Sequence, residues 1–485
     1  MRARAPGVVP AVALSVLASL AIAPPVGAAL DPGSPVLAEE LTAATVAVLP
    51  DLTTAPQRRA GTVHVDAVTI APAGAADWTP ITREVPGVLV QGTIRDDPQA
   101  RFLLRLPDEW NGKLVVAGAS GTRSEFNGDL VISDFVLQKG YAYASQNKGM
   151  GNLALTTAAD PGGCPLRPVA DLPAGSAANP LLYFFLLDRS NDVREWDQRI
   201  NQAALVAKSL VEAHYGRKPA RTYAMGVSNG GYQVRKAIED HPQTFDGGVD
   251  WEGVFWRQEG PNFIGELPAG LTHFPAYRAS GPGGYDPDSA AARAIRAAGY
   301  PPDLVRRAAD GSVVTSLWTL NRFAFWEVTE CLYVKEVDPT YNPGPGNFEA
   351  FAAYDPAERG DALRRKIRTF ENSGRLTRPL ISVHGTLDAL IPLEGHARAY
   401  KAKVERLGSG ANYRLYEVQN GNHLESFQAA LPDLELIQPH AQRAFELLDD
   451  WVEGRAEAPP SQCVPRGRAI SAAPAEASCS SLLVP

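Results

Sequence analysis

The strongest constraint in this chain is a run that reads as a strand, Arg221 to Gly226, passing through Gly226-Val227-Ser228-Asn229-Gly230 into a helical run, Tyr232 to Glu239. A strand that turns into a helix over so few residues forces the central serine into a sharp, strained turn. Glycines two before and two after it remove side chains that would clash there. The turn exposes the Ser228 hydroxyl and aims a helix N-terminus at it. A bare Gly-x-Ser-x-Gly occurs by chance; its placement between strand and helix gives it meaning.

The surrounding sequence repeats this alternation. Val88–Ile94 and Ala100–Pro107 alternate like two strands, with Asp96-Asp97-Pro98 as the turn between them. Lys113–Gly118 and Tyr141–Ser145 are further candidate strands. Apolar positions at helical spacing over 194–214 end at Gly216, followed by Arg217-Lys218-Pro219. Later come a strand at Pro379–Val383, a helix at Gly395–Leu407 and a strand at Tyr413–Val418. Strands alternating with helices predict an α/β core with a mostly parallel, doubly wound sheet. Residues 253–372 differ in texture, with Gly281-Pro282-Gly283-Gly284 and Pro343-Gly344-Pro345-Gly346, and predict an insertion capping the C-terminal edge of the sheet. No repeats or heptads are present.

The amino terminus carries Arg2 and Arg4, an apolar run from Val12 to Ala23, and Pro24-Pro25-Val26-Gly27-Ala28-Ala29. These are the charged, apolar and small-residue parts of a secretory signal, expected to be cleaved after Ala28 or Ala29. The run is shorter than the roughly 20 residues that span a bilayer. In an oxidising compartment the four cysteines, Cys164, Cys331, Cys463 and Cys479, are expected to form two disulfides, with three connectivities open. No Cys/His spacing resembles a zinc site. With 46 Lys and Arg against 54 Asp and Glu, the net charge is −8, and no basic cluster marks a nucleic-acid binder.

A nucleophilic serine needs a base, and the base needs an acid to orient it. Val383-His384-Gly385-Thr386-Leu387-Asp388 places an acid just after one late strand, and Val418-Gln419-Asn420-Gly421-Asn422-His423 a histidine just after the next. Ser228, Asp388 and His423 therefore project from one strand-end edge, where open α/β sheets bind their ligands. The 160 residues between Ser228 and Asp388 exceed two βαβ units by about the length of the insertion. Asp250 is the rival acid, since it too is expected near a strand end. His384, His396 and His440 are the competing histidines, and His384 is expected to be a buried turn-stabilising group.

Two backbone amides are needed for an oxyanion. Asn229 is expected to supply one and Ser120 or Gly121 the other, from the loop after Lys113–Gly118. Trp251, Phe255 and Trp256 are expected where the insertion meets the core, either lining an acyl pocket or simply packing. Asp286 and Asp288 lie in a Gly/Pro-rich loop, where two acids are ordinarily solvated rather than bound to calcium. No metal or organic cofactor is required.

These residues resemble two families of the α/β-hydrolase superfamily. Trp110-Asn111-Gly112-Lys113-Leu114, Tyr215–Arg221, Gly226–Gly231 and Phe245-Asp246-Gly247 are similar to blocks of the tannase and feruloyl esterase family, in its order. That family carries a bridged cysteine pair beside the serine and the histidine; Val227 and Leu424 stand at those positions here. Ala119–Arg123, Lys139-Gly140-Tyr141, Val227–Gly231, His384–Pro392 and Tyr416–His423, followed by Glu425-Ser426-Phe427, resemble the D-3-hydroxybutyrate oligomer hydrolase family. The resemblance implies an α/β-hydrolase fold and a Ser228–His423–Asp388 triad.

The expected organisation is a signal peptide (1–29), a first core segment (30–252), an inserted cap (253–372), a second core segment (373–452) and a Pro/Ala/Ser-rich tail (453–485), which one of the open pairings, Cys463 with Cys479, would close into a loop. The expected function is a secreted serine carboxylic-ester hydrolase acting on short hydroxyalkanoate oligoesters or other small esters. Its partner is an ester substrate, with no nucleic acid and no membrane after signal cleavage. A tannase- or feruloyl-type aromatic-acid esterase is the second reading and a secreted peptidase a third. From another class, the chain could be an inactive hydrolase fold that binds a ligand.

Overall fold

The computed structural model describes residues 35–38, 44–51, 85–94, 97–118, 120–121, 125–126, 128, 132–150, 154–156, 164–165, 181–183, 192–343 and 348–484. The signal-peptide segment 1–29 and the turn residue Asp96 lie outside the described residues. Strands are numbered in chain order. The first six are β1 (Pro35–Ala38), β2 (Ala44–Asp51), β3 (Gly87–Ile94), β4 (Asp97–Pro107), β5 (Lys113–Gly118) and β6 (Ala142–Gln146). Short strands β7 (Ala154–Thr156), β8 (Cys164–Pro165) and β9 (Leu181–Tyr183) form a small separate sheet. Then come β10 (Arg221–Val227), β11 (Gly247–Trp251) and a hairpin of β12 (Val305–Arg307) and β13 (Val313–Ser316). The chain ends with β14 (Leu380–Gly385), β15 (Tyr413–Val418) and β16 (Gln462–Val464).

Eleven of these make one sheet in the order β1-β2-β3-β4-β6-β5-β10-β11-β14-β15-β16. The pairs from β6 through β5, β10, β11, β14 and β15 to β16 are parallel, while β1 to β4 and the β4–β6 pair are antiparallel. Parallel strands are covered by helices on both faces, so they read as continuous apolar runs. Alternate residues of β5 go to opposite faces: Leu114 and Val116 join one core with Ala203, Val206 and Leu210, whereas Val115 and Ala117 join another with Phe445 and Leu448. The first core sits under helices Trp196–Tyr215, Asn229–Asp240 and Ala399–Arg406, the second under Ser133–Leu137 and Gln438–Val452. This is a doubly wound, mostly parallel α/β sheet.

Strand β5 has β6 on one side and β10 on the other, so the chain changes winding direction there. The crevice at such a switch point opens at the carboxyl ends of the two strands. Those ends carry the Ser120-Gly121 loop and Ser228. The helix Trp196–Tyr215 stops where the sequence predicts, at Gly216, whose φ of 72° is left-handed and whose N–H closes on Glu212.

Between β11 and β14 the chain is more helical than its Gly/Pro content suggests, with helices Phe263–Arg278, Ala290–Ala297, Glu327–Val337 and Gly360–Arg368. Pro268 and Pro275 lie inside the first of these, at the cost of backbone hydrogen bonds. Burial of Phe263, Ile264, Leu267, Leu271 and Phe274 offsets that cost. These side chains share a third core with Leu387, Ala389 and Ile391 beyond β14 and Leu431 and Leu434 beyond β15. The segment therefore packs on the carboxyl-end edge of the sheet.

Two disulfides form among the alternatives left open by sequence, Cys164–Cys331 and Cys463–Cys479. The second closes residues 463–479 into a loop, as the sequence suggests. The tail also holds edge strand β16, paired in parallel with β15, so β15 is not the last strand. A three-residue strand set between Pro460 and Pro465 is too short for periodicity to reveal. Among the described residues, no helix is long and apolar enough to cross a membrane.

Candidate active site

Ser228 sits between β10 and the helix Asn229–Asp240 with φ 61° and ψ −121°, a left-handed backbone that costs a non-glycine residue about 1–3 kcal/mol. Its N–H donates to the Trp251 carbonyl (2.9 Å) and its carbonyl accepts from Tyr232 (3.1 Å), which hold the turn from both sides. The glycine requirement is physical. A Cβ on Gly226 would lie 2.5 Å from the Gly230 carbonyl oxygen, and one on Gly118 would lie 2.4 Å from the same atom. These contacts bring the end of β5 directly against the first turn of the helix.

Asp388 and His423 leave β14 and β15 at the same edge, and the structure brings them together. His423 Nδ1 is 2.9 Å from Asp388 Oδ2. Asp388 Oδ1 accepts the amides of Leu390 (2.9 Å) and Ile391 (2.7 Å), which fixes the carboxylate. Burial works against its charge, but His423 and His384 beside it and the Ile391 amide outweigh burial and hold its pKa below the usual carboxylate range. A carboxylate on Nδ1 selects the tautomer in which Nε2 is free to accept a proton.

The rival groups are occupied elsewhere. Asp250, on β11, pairs with Arg235 (2.6 Å) and accepts the Ser382 hydroxyl (2.6 Å), with both ions of the pair fully buried. His384 is fully buried, its Nε2 2.8 Å from the Ile391 carbonyl, and burial lowers its pKa to about 4. It is a neutral prop for the loop that carries Asp388. His396 lies in a helical turn with Nδ1 accepting the Phe255 amide and Nε2 at 2.9 Å from Glu266. His440 is in the helix Gln438–Val452, beside Glu435.

One acid at this edge was not legible in sequence. Glu252 directly follows β11 with φ 50°, is fully buried, and places Oε2 3.6 Å from His423 Nδ1. Asp250, the rival acid read from sequence near this strand end, lies within β11 and its side chain goes to Arg235. Burial and the neighbouring Asp388 push the Glu252 carboxyl well above the ordinary range. Glu252, Asp388 and His423 each offer a ligand atom within 4.8 Å of the others, the one such trio among the described residues. Asp388 already spends its oxygens on His423 and two amides.

Asn229 opens the helix after Ser228, where the first amides have no carbonyl partner within the helix. Its side chain donates to the hydroxyl of Tyr333, on the helix Glu327–Val337, a contact that sequence gave no sign of. Ser120 and Gly121 are buried in the loop beyond β5, and Gly121 has φ 46°. The three aromatics do not form one group. Trp251 packs under the sheet with Val383 and Phe445, Phe255 stacks edge-on to Tyr400 at 5.4 Å, and Trp256 alone joins the third core beside Phe263 and Tyr333. Alternation along the chain separates them, since successive residues leave a strand end in different directions. Asp286 Oδ1 accepts the Asp288 amide in a turn just before the helix Ala290–Ala297.

The family model for tannase and feruloyl esterase matches residues 84–251, and that for 3HB-oligomer hydrolase matches residues 343–482. The blocks at 119–123, 139–141 and 227–231 thus lie in the half matched by the first model. Val227 and Leu424 leave no cysteine pair at the serine and histidine. D-(-)-3-hydroxybutyrate oligomer hydrolases of Burkholderia mallei and Burkholderia pseudomallei are 37% identical over 106 residues, 20% of this chain. The match spans 15% of those relatives' length. Feruloyl esterase B from Aspergillus oryzae aligns with a TM-score of 0.47 at 14% identity, over 87% of this chain and 89% of its own. Tannin acyl hydrolase from Aspergillus niger gives 0.43 at 14%, over 88% and 86%. The serine-bearing part of the chain is thus similar to the tannase and feruloyl esterase family, and its acid- and histidine-bearing part to the 3HB-oligomer hydrolase family.

Proposed function

We propose that this chain is a secreted serine carboxylic-ester hydrolase with the triad Ser228, His423 and Asp388. The observation that carries this reading is the 2.9 Å contact of His423 Nδ1 with Asp388 at the edge where Ser228 stands on a left-handed turn. In the first step His423 Nε2 takes the Ser228 proton as Oγ attacks the ester carbonyl, while Asp388 stabilises the imidazolium. The amide of Asn229 and one from Ser120 or Gly121 receive the oxyanion. His423 then protonates the leaving alcohol, and water releases the acid from the acyl-enzyme by the reverse sequence. The segment 253–372 acts as a cap over the site, tied to the core by Cys164–Cys331. The two disulfides fit an oxidising compartment and, with the apolar amino-terminal run, support secretion.

Short 3-hydroxyalkanoate oligoesters are the first substrate class, supported by the relatives that match by sequence. Aromatic-acid esters are the second, supported by the rings of Trp256, Phe263 and Tyr333 gathered beside Asn229. Initial rates on 3-hydroxybutyrate dimer and trimer, methyl ferulate and methyl gallate separate the classes, with Ser228→Ala as the blank. Faster turnover of the aliphatic esters is expected. Faster turnover of the aromatic esters overturns the substrate assignment, and activity of the alanine variant overturns the nucleophile.

A further inference from the structure

His423 Nδ1 faces two carboxyl groups, and the mechanism above uses one. Glu252 reaches it from β11 and Asp388 from β14, two neighbouring parallel strands. The Glu252 backbone is held in its left-handed conformation by an N–H bond to the Val383 carbonyl (2.8 Å), and Gly253 follows it. A Cβ on Gly253 would lie 2.1 Å from Asp250 Oδ1, so the chain must leave β11 along this path. Glu252 Oε1 accepts the Gly385 amide (3.1 Å). Oε2 is buried, has no hydrogen-bond partner among the described residues, and points toward the imidazole at 3.6 Å. Burying an unpaired carboxyl in a left-handed turn is a double cost, and glutamine or glycine would be cheaper there.

We propose that Glu252 is a positioning residue for His423: a second acid on the same ring nitrogen, able to receive the Nδ1 proton contact when Asp388 does not. The proposal rests on His423 being the catalytic base. Burial and the neighbouring Asp388 charge push the Glu252 carboxyl well above its ordinary range, which favours its neutral form beside the charged Asp388. The groups around Glu252 are Asp388, His423, Glu425, the Gly385 amide and the Trp251 side chain, and His384 lies beside Asp388. Replacing Asp388 by asparagine removes the charge that most opposes Glu252 ionisation. Glu252 then loses its proton to solvent as pH rises, and Oε2 accepts Nδ1–H after closing the gap to hydrogen-bond distance.

The test is a double-mutant cycle on the mature protein with kcat/KM against pH for Asp388→Asn, Glu252→Gln and the pair, beside His423→Ala and Ser228→Ala. Removing the orienting acid of a triad commonly costs about 10⁴-fold. Here Asp388→Asn is expected to lose only about 10- to 100-fold and to gain rate with pH as Glu252 ionises. The double variant is expected to fall to the His423→Ala floor and lose that rise. An Asp388→Asn variant already at the floor at every pH overturns the proposal by itself, even if Glu252→Gln does not fold. Equal rates for Asp388→Asn and the folded double variant overturn it as well. Full activity of His423→Ala would instead overturn the base assignment on which it rests.

Discussion

Asp250→Asn separates the two carboxylates that sequence could not. Asp250 and Arg235 form an ion pair at 2.6 Å with neither side chain exposed, and the same aspartate oxygen accepts the Ser382 hydroxyl. Asparagine keeps the volume and an oxygen for Ser382 but leaves the guanidinium charge without a counterion. Breaking one side of a buried pair costs about 3–5 kcal/mol, chiefly from the uncompensated charge. The Tyr400 ring under Arg235, 4.4 Å away, is present before and after and does not reduce that loss. At a urea slope of about 3 kcal/mol per M, the unfolding midpoint falls by roughly 1 M. Turnover per folded molecule, counted by fluorophosphonate titration, should stay within a few-fold of the parent because Asp250 does not touch His423. Asp388→Asn should do the opposite, losing turnover with a small change in midpoint. An Asp250→Asn protein that unfolds at the parent midpoint but loses activity would refute the reasoning and return Asp250 to the triad.

Other consequences are equally direct. His384 has a folded pKa lowered by burial to about 4 from 6.5, so its stabilising contribution is present above pH 6.5 and is lost as pH falls toward 4, about 3 kcal/mol in all. Denaturation midpoints between pH 7 and 4.5 should fall less steeply in His384→Gln than in the parent; equal slopes would contradict the neutral, buried assignment. Gly226→Ala sets a methyl 2.5 Å from backbone at Gly230, an overpacking cost of about 1–3 kcal/mol or more, and should slow fluorophosphonate labelling by over ten-fold. Parent-rate labelling would show that the turn tolerates a side chain. Cys164–Cys331 spans 167 residues and Cys463–Cys479 spans 16, which in the loop-entropy account gives about 5 and about 3 kcal/mol. Serine pairs at the first bridge should therefore unfold at lower urea than serine pairs at the second, and the reverse order would contradict that account.

The parallel strands were legible because burial on both faces writes them as short apolar runs: Lys113–Gly118 and Tyr413–Val418 match β5 and β15 residue for residue. The helix Trp196–Tyr215 was legible from its 3.6-residue period and from Gly216, the one residue type at ease in its left-handed cap. Asp388 and His423 could be placed because each lies within five residues of the end of such a strand. Three features were hidden. Glu252 takes its role from a backbone turn and the register of β11 beside β14, which no local pattern encodes. Strand β16 is too short for periodicity and is held by a disulfide and its pairing with β15. The helices of 253–372 tolerate prolines because tertiary packing outweighs propensity, so their composition reads as loop.

The central claim is that Ser228 is a nucleophile activated by His423. Peptide mapping by mass spectrometry after brief exposure of the folded protein to a fluorophosphonate tests it most directly. The account predicts one adduct, on Ser228, at a rate that falls by at least a hundred-fold in His423→Ala and to nothing in Ser228→Ala. An unmodified Ser228 in folded parent protein, or equal labelling in the histidine variant, would contradict it.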